Sequence, residues 1–93
     1  MTSIRIPAPL RALTDGRDEI TVDADDVRGA LQALTAAYPD LRPRILDDDG
    51  RLRPFVNVFL GSRDVRALDG QATPVDETDV LTLLPAVAGG GAP

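Results

Sequence analysis

Apolar and polar residues alternate in two short stretches near the start of the chain. In residues 2–7 two isoleucines alternate with polar side chains, and residues 17–23 repeat the pattern with Ile20 and Val22. A period of two is typical of a strand with one buried face. Residues 14–16, Thr-Asp-Gly, form a turn signal between the two stretches. We therefore predict an opening β-hairpin.

A helical period follows in residues 23–40. Asp23 is the expected cap of the first amides, and Pro39 is expected to end the helix near Tyr38. The spacing i, i+3, i+4, i+7 gives one apolar stripe, made of Val27, Ala30, Leu31 and Leu34.

The second half of the chain returns to short apolar runs. Residues 55–60 and 80–84 are predicted strands, and residues 64–68 are a further short strand candidate. Residues 41–54 and 69–79 are expected to be irregular connections.

This order of elements predicts an α+β domain with a mixed sheet of four to five strands and one main helix across it. That arrangement is the β-grasp, or ubiquitin-like, fold. Residues 1–88 are the predicted domain, and residues 89–93 are a flexible, glycine-rich tail.

Composition argues against catalysis by the chain itself. The sequence has no Cys and no His, and all ten of its basic residues are arginines. It therefore lacks the usual nucleophiles, general bases and metal ligands, and we predict no enzyme activity, cofactor or metal. The net charge of −5 disfavours nucleic acid and favours a partner with basic groups. No apolar run is long enough for a membrane span, so a cytoplasmic protein is expected.

Two acidic runs resemble a metal-binding or catalytic site, but each has a simpler structural explanation. Residues 47–50, Asp-Asp-Asp-Gly, suggest a calcium loop, yet the twelfth position counted from Asp47 is Val58, which cannot be a ligand. We interpret the run as a solvated turn. The aspartates of residues 23–26 are explained by their place at a helix start.

The side of the sheet opposite the helix carries a candidate partner-binding face. Its five members are Phe55, Asn57, Phe59, Thr82 and Leu84. An exposed apolar surface of this kind suggests a docking site. The alternative is that these side chains pack under the loop of residues 61–79.

The tail of Ala88, Gly89, Gly90 and Gly91 is the remaining candidate for a functional segment. One interpretation is a frayed chain end. The other is functional, because glycines have no side chains to obstruct passage through a narrow channel to an active site on another protein.

The motifs "FVN" (55–57), Asp79-Val80 and "LPAVAGG" (84–90) resemble the MoaD/ThiS family of ubiquitin-like sulfur carriers. Together with "DVR" (64–66) they are most similar to the branch that serves cysteine biosynthesis. The similarity extends along the whole chain. It departs from the family pattern at Glu77-Thr78-Asp79, where Asp-Gly-Asp is usual, and in the three residues that follow Gly90.

The resemblance implies a carrier whose terminal glycine, Gly90, is adenylated with ATP by an E1-like adenylyltransferase/sulfurtransferase and converted to a thiocarboxylate. The sulfur would attack an aminoacrylate on a PLP-dependent cysteine synthase, and a JAMM-type zinc metalloprotease would release the cysteine. The same protease is expected to remove Gly91-Ala92-Pro93, with a cut after Gly91 as the alternative. Other uses stay open: molybdopterin synthesis, natural-product thiolation, isopeptide conjugation, or a binding module with an inert tail.

Overall fold

The computed structural model describes residues 1–85, which form one mixed sheet with a helix on one face. The sheet order is β2-β1-β5-β3-β4, in which β1 and β5 are parallel and the other neighbours are antiparallel. The predicted mixed sheet with one main helix is confirmed. The strands are Thr2–Arg5 (β1), Glu19–Val22 (β2), Val56–Leu60 (β3), Arg63–Asp64 (β4) and Val80–Pro85 (β5), and the helices are Val27–Ala37 (α1) and Arg42–Ile45 (α2).

The core lies between the inner face of the sheet and α1. Ile4 of β1 pairs with Ile20 on one side and Leu81 on the other, and all three side chains are buried. The predicted apolar stripe of α1 is confirmed, because each of its four members is fully buried. Since β5 lies at the centre of the sheet, its inward leucines are buried, whereas Val80 and Leu84 face outward and are exposed.

The predicted helix start was wrong. α1 begins at Val27, and Asp26 is its N-cap, with its Oδ1 accepting a hydrogen bond from the Gly29 N–H at 2.7 Å. Asp26 is extended and forms an isolated bridge with Pro74, and the Val75 N–H donates to the carbonyl of Asp25 at 2.9 Å. This long-range pairing removes Asp23 from the helix. The predicted end near Tyr38 is confirmed, since Tyr38 is the C-cap.

Two further boundaries differ from the sequence pattern. Residues 41–54, expected to be irregular, contain α2, whose first turn accepts Pro43 because that position needs no amide donor. The strand expected over residues 64–68 is limited to Arg63–Asp64. The chain then forms a 3₁₀ turn, Val65–Ala67, because the Asp64 carboxylate caps it.

Neither α1 nor α2, the α-helices of residues 1–85, has the length and apolar character to cross a bilayer.

Candidate functional site

The outer face of the sheet brings together the residues of the predicted partner-binding face. In the register of β3 and β5, Asn57 lies opposite Leu84, and Phe59 lies opposite Thr82. These side chains point away from α1, because the alternate residues of the same strands face the core. We call Phe55, Asn57, Phe59, Thr82 and Leu84 the docking surface.

Exposure separates the two interpretations of this surface. Phe55 is 50% exposed and Leu84 is 44% exposed, so the loop of residues 61–79 does not cover them. Phe59 is half-buried and lies opposite Asp64 of β4. The structure therefore leaves the Phe55 and Leu84 end of the surface open, and the loop shields at most the other end.

Phe55 belongs to a turn and not to β3, so the predicted strand start was one residue too early. The Val56 N–H donates to the Arg53 carbonyl at 3.0 Å and closes this turn. The turn projects Phe55 at the end of the sheet from which the chain leaves β5.

Arg66 is a fixed cation beside this end of the docking surface. Its Nη1 donates to Asn57 Oδ1 at 2.9 Å, and its Nη2 donates to the Arg53 carbonyl at 2.8 Å. The Arg66 backbone N–H donates to Asp64 Oδ1 at 2.9 Å, which holds the start of the side chain. The position of the Arg66 guanidinium was not predicted from the sequence. Hydrophobic periodicity gives no information on it, and the sequence motif "DVR" only contains Arg66 as its last residue.

The described part of the chain ends beside this surface. Pro85, the last described residue, lies opposite Val56, and Leu84 of the docking surface directly precedes it. Ala88, Gly89, Gly90 and Gly91, the predicted tail residues, lie outside the described residues.

Residues 47–50 form a turn in which backbone N–H groups donate to the Asp47 carboxylate. Asp47 Oδ1 accepts from the N–H groups of Arg51 and Asp49, each at 2.9 Å. The hydrogen bond from the Arg51 N–H is the main cause of a lowered pKa of Asp47. Within residues 1–85 no group of three or more acidic side chains is arranged to hold a metal ion.

The opposite end of the sheet is acidic. A cleft of about 360 Å³ lies beside Met1 and is lined by Asp23, Asp25, Asp76 and Glu77. The Thr78 hydroxyl and N–H both donate to Asp76 Oδ1, at 2.6 and 2.8 Å, and lower the pKa of Asp76. This acidic cleft lies at the end of the sheet where β5 begins, whereas Arg66 lies toward the end where β5 finishes at Pro85.

Comparison with known proteins places the chain in a family. The sequence model of the ThiS family matches residues 4–90. This chain belongs to the ThiS family. It is 36% identical over 90 residues to the sulfur carrier protein CysO of Mycobacterium tuberculosis, covering 95% of this chain and 97% of that protein. It is also 43% identical over 70 residues to small archaeal modifier protein 3 of Haloferax volcanii, covering 74% of this chain and 75% of that protein.

Solved structures agree with this assignment. The crystal structure of the Amycolatopsis orientalis BexX/CysO complex contains a chain that matches with a TM-score of 0.88 and 30% identity, over 97% of this chain and 100% of that one. Both the resemblance found in the sequence and the β-grasp fold are therefore confirmed.

Proposed function

We propose that this member of the ThiS family is a sulfur carrier of the CysO type and that the carboxyl carbon of Gly90 holds the sulfur. The observation that carries the proposal is the extent of the similarity. The family match ends on Gly90, and the chain aligns with 97% of the length of CysO. A chain without Cys, His or Lys depends on partner enzymes for the bond-making steps.

The first step activates the carboxylate. On an E1-like enzyme, a Gly90 carboxylate oxygen attacks the α-phosphorus of ATP, and pyrophosphate leaves. Hydrosulfide, HS⁻, then adds to the acyl carbon and loses its proton, and AMP departs with the original carboxylate oxygen. The product is a thiocarboxylate. Gly89 and Gly90 serve this chemistry because neither has a Cβ to hinder the approach of the enzyme.

The folded domain sets where the acyl end can reach. Residues 86–90 connect Pro85 to the proposed reacting carbon of Gly90, and five fully extended residues span at most about 18 Å. A partner that docks on the surface of Phe55 and Leu84 must therefore have its active site within that distance of the end of β5. This geometric limit gives the docking surface a role in activation.

Processing and delivery complete the proposal. Gly91, Ala92 and Pro93 follow Gly90, and a proline carboxyl is attached to a ring carbon that would crowd the reaction. A JAMM-type zinc metalloprotease would remove these three residues, with a cut after Gly91 as the alternative. The thiocarboxylate would then supply sulfur to a PLP-dependent cysteine synthase, and the same protease would release the cysteine formed on the carrier.

Intact mass spectrometry tests the carrier function. A chain that ends at Gly90 is incubated with the E1-like enzyme of the same organism, ATP and sulfide, and should gain about 16 Da as sulfur replaces oxygen. The full chain that ends at Pro93 is the matched control and should gain no mass until the protease has cut it. The enzyme must first be shown to release pyrophosphate when the Gly90 chain is present. If the heavier species is then absent, the proposal is refuted.

The similarity to small archaeal modifier protein 3 favours one alternative, attachment of the activated glycine to an amine of another protein. The same incubation in a cell extract distinguishes it. Conjugation would produce a ladder of larger species that resists reducing agents, whereas a sulfur carrier yields only the heavier monomer.

Co-purification with a molybdopterin synthase subunit would instead favour sulfur delivery to molybdopterin.

A further inference from the structure

We propose that Arg66 is a specificity-determining residue of the docking surface and that the partner places a carboxylate, flanked by apolar side chains, against its guanidinium. This inference rests on the proposed function, because the partner we name is the E1-like activating enzyme. The proposal follows from how the guanidinium is held, what surrounds it, and where it lies relative to the tail.

The guanidinium is fixed but its charge is not neutralised by the groups that hold it. Its acceptors, Asn57 Oδ1 and the Arg53 carbonyl, are both neutral oxygens. These two bonds use two of the five N–H groups of the side chain, so three remain. The neighbouring carboxylate of Asp64 is engaged with the Arg66 backbone N–H. Arg66 itself is exposed, so the remaining donors are accessible to a partner.

The surroundings make a carboxylate the matching group. Leu84 lies opposite Asn57 in the register, and Phe55 lies in the chain between the two residues that hold the guanidinium. A partner that covers these apolar side chains removes water from the cation, which strengthens its attraction to a carboxylate. The planar fork of a pre-positioned arginine fits a carboxylate and loses less side-chain freedom on binding.

The charge distribution of the domain gives this contact an orienting role. The whole chain has a net charge of −5, and Asp23, Asp25, Asp76 and Glu77 gather at the end of the sheet away from the tail. A partner carboxylate placed against Arg66 favours the orientation in which the end of β5 faces the active site of the partner.

Steady-state kinetics test this inference on the chain that ends at Gly90. Pyrophosphate release by the E1-like enzyme is measured against carrier concentration. Arg66→Ala should raise KM about tenfold and leave kcat within about twofold, the effect expected for loss of a hydrogen bond to a charged group. Arg63→Ala is the matched control, because it removes an exposed arginine from β4 with the same change in net charge. It should change KM less than about twofold.

A second variant separates recognition from a structural role. Arg66→Lys keeps the positive charge but replaces the planar fork that bridges Asn57 Oδ1 and the Arg53 carbonyl. If Arg66 binds a partner carboxylate, Arg66→Lys should have a KM clearly below that of Arg66→Ala, because a cation is still present. If Arg66 only holds β3 in place, Arg66→Lys should raise KM and lower the thermal stability as much as Arg66→Ala does.

The outcomes distinguish this inference from the proposed function. Normal activation of the wild-type chain together with an unchanged KM for Arg66→Ala, or equal effects of Arg66→Ala and Arg63→Ala, would overturn the role of Arg66 and leave the carrier function intact. Failure of the wild-type chain to be activated would overturn both.

Discussion

Leu83 and Leu84 are neighbours in β5 with opposite surroundings, and replacing each by alanine should separate stability from docking. Leu83 is fully buried and lies opposite Val58 in the core, whereas Leu84 is 44% exposed on the docking surface. Leu83→Ala removes three carbons from the core, worth about 2.4 kcal/mol at about 0.8 kcal/mol each. The cavity left behind raises the expected loss to about 3–4 kcal/mol. A domain of this size has a total stability of about 5–14 kcal/mol, so the loss is a large share of it.

Leu84→Ala should cost only about 1 kcal/mol, because nearly half of the side chain is already in water and no closed cavity forms. It should instead weaken docking and raise KM in the activation assay. Urea unfolding followed by far-UV circular dichroism measures both stabilities, since the chain has no tryptophan for fluorescence. Equal losses of unfolding free energy in the two variants would show that β5 does not present these leucines to opposite faces, and the docking surface would then be wrongly placed.

Two further predictions concern carboxylates that hold local structure. Asp26→Ala should lower the free energy of unfolding by about 1 kcal/mol through loss of the N-cap of α1, while Asp23→Ala should leave it nearly unchanged. Urea unfolding measures both variants. A larger loss for Asp23→Ala than for Asp26→Ala would contradict the observed cap. The Thr78 hydroxyl and N–H lower the pKa of Asp76 below its usual 3.8, so the ionised form stabilises the native state above that pH, and this stabilisation is lost as the pH falls through the native pKa. Asp76→Asn should therefore be less stable than the wild type at neutral pH, with a difference that shrinks as urea unfolding is repeated toward about pH 2; a difference independent of pH would count against this role.

The elements with a clear hydrophobic period could be predicted from the sequence, and those fixed by distant contacts could not. The stripe of α1 is a local pattern, and the core contacts of Leu31 and Leu34 follow it. The helix start depends on pairing between residues 25 and 75, which are far apart in the chain, so local capping rules favoured Asp23 over Asp26. Composition and the resemblance to a family pointed to the candidate tail, whereas no local pattern reveals the position of Arg66.

The same distinction applies to the candidate site. Alternation in β3 and β5 correctly indicated that Asn57, Phe59, Thr82 and Leu84 share the outer face, because a strand has a strict period of two. It did not indicate that Phe55 belongs to the turn before β3. It could not indicate that the guanidinium of Arg66 reaches back across a turn to the Arg53 carbonyl. That contact depends on the Asp64 cap, which converts an expected strand into a 3₁₀ turn and so directs the side chain toward Asn57.

The position of β5 in the sheet links the fold to the proposed chemistry. β5 is hydrogen-bonded on both sides, by β1 in parallel and by β3 in antiparallel pairing. Shifting it would require breaking two ladders and moving Leu81 and Leu83 out of the core, so its end is held in place more firmly than an edge strand would be. If a partner docks on Leu84 as proposed, the same strand contacts the partner and leads into the tail. Any partner that recognises the surface therefore receives the tail at a fixed origin, and only the short segment beyond Pro85 is needed to reach its active site.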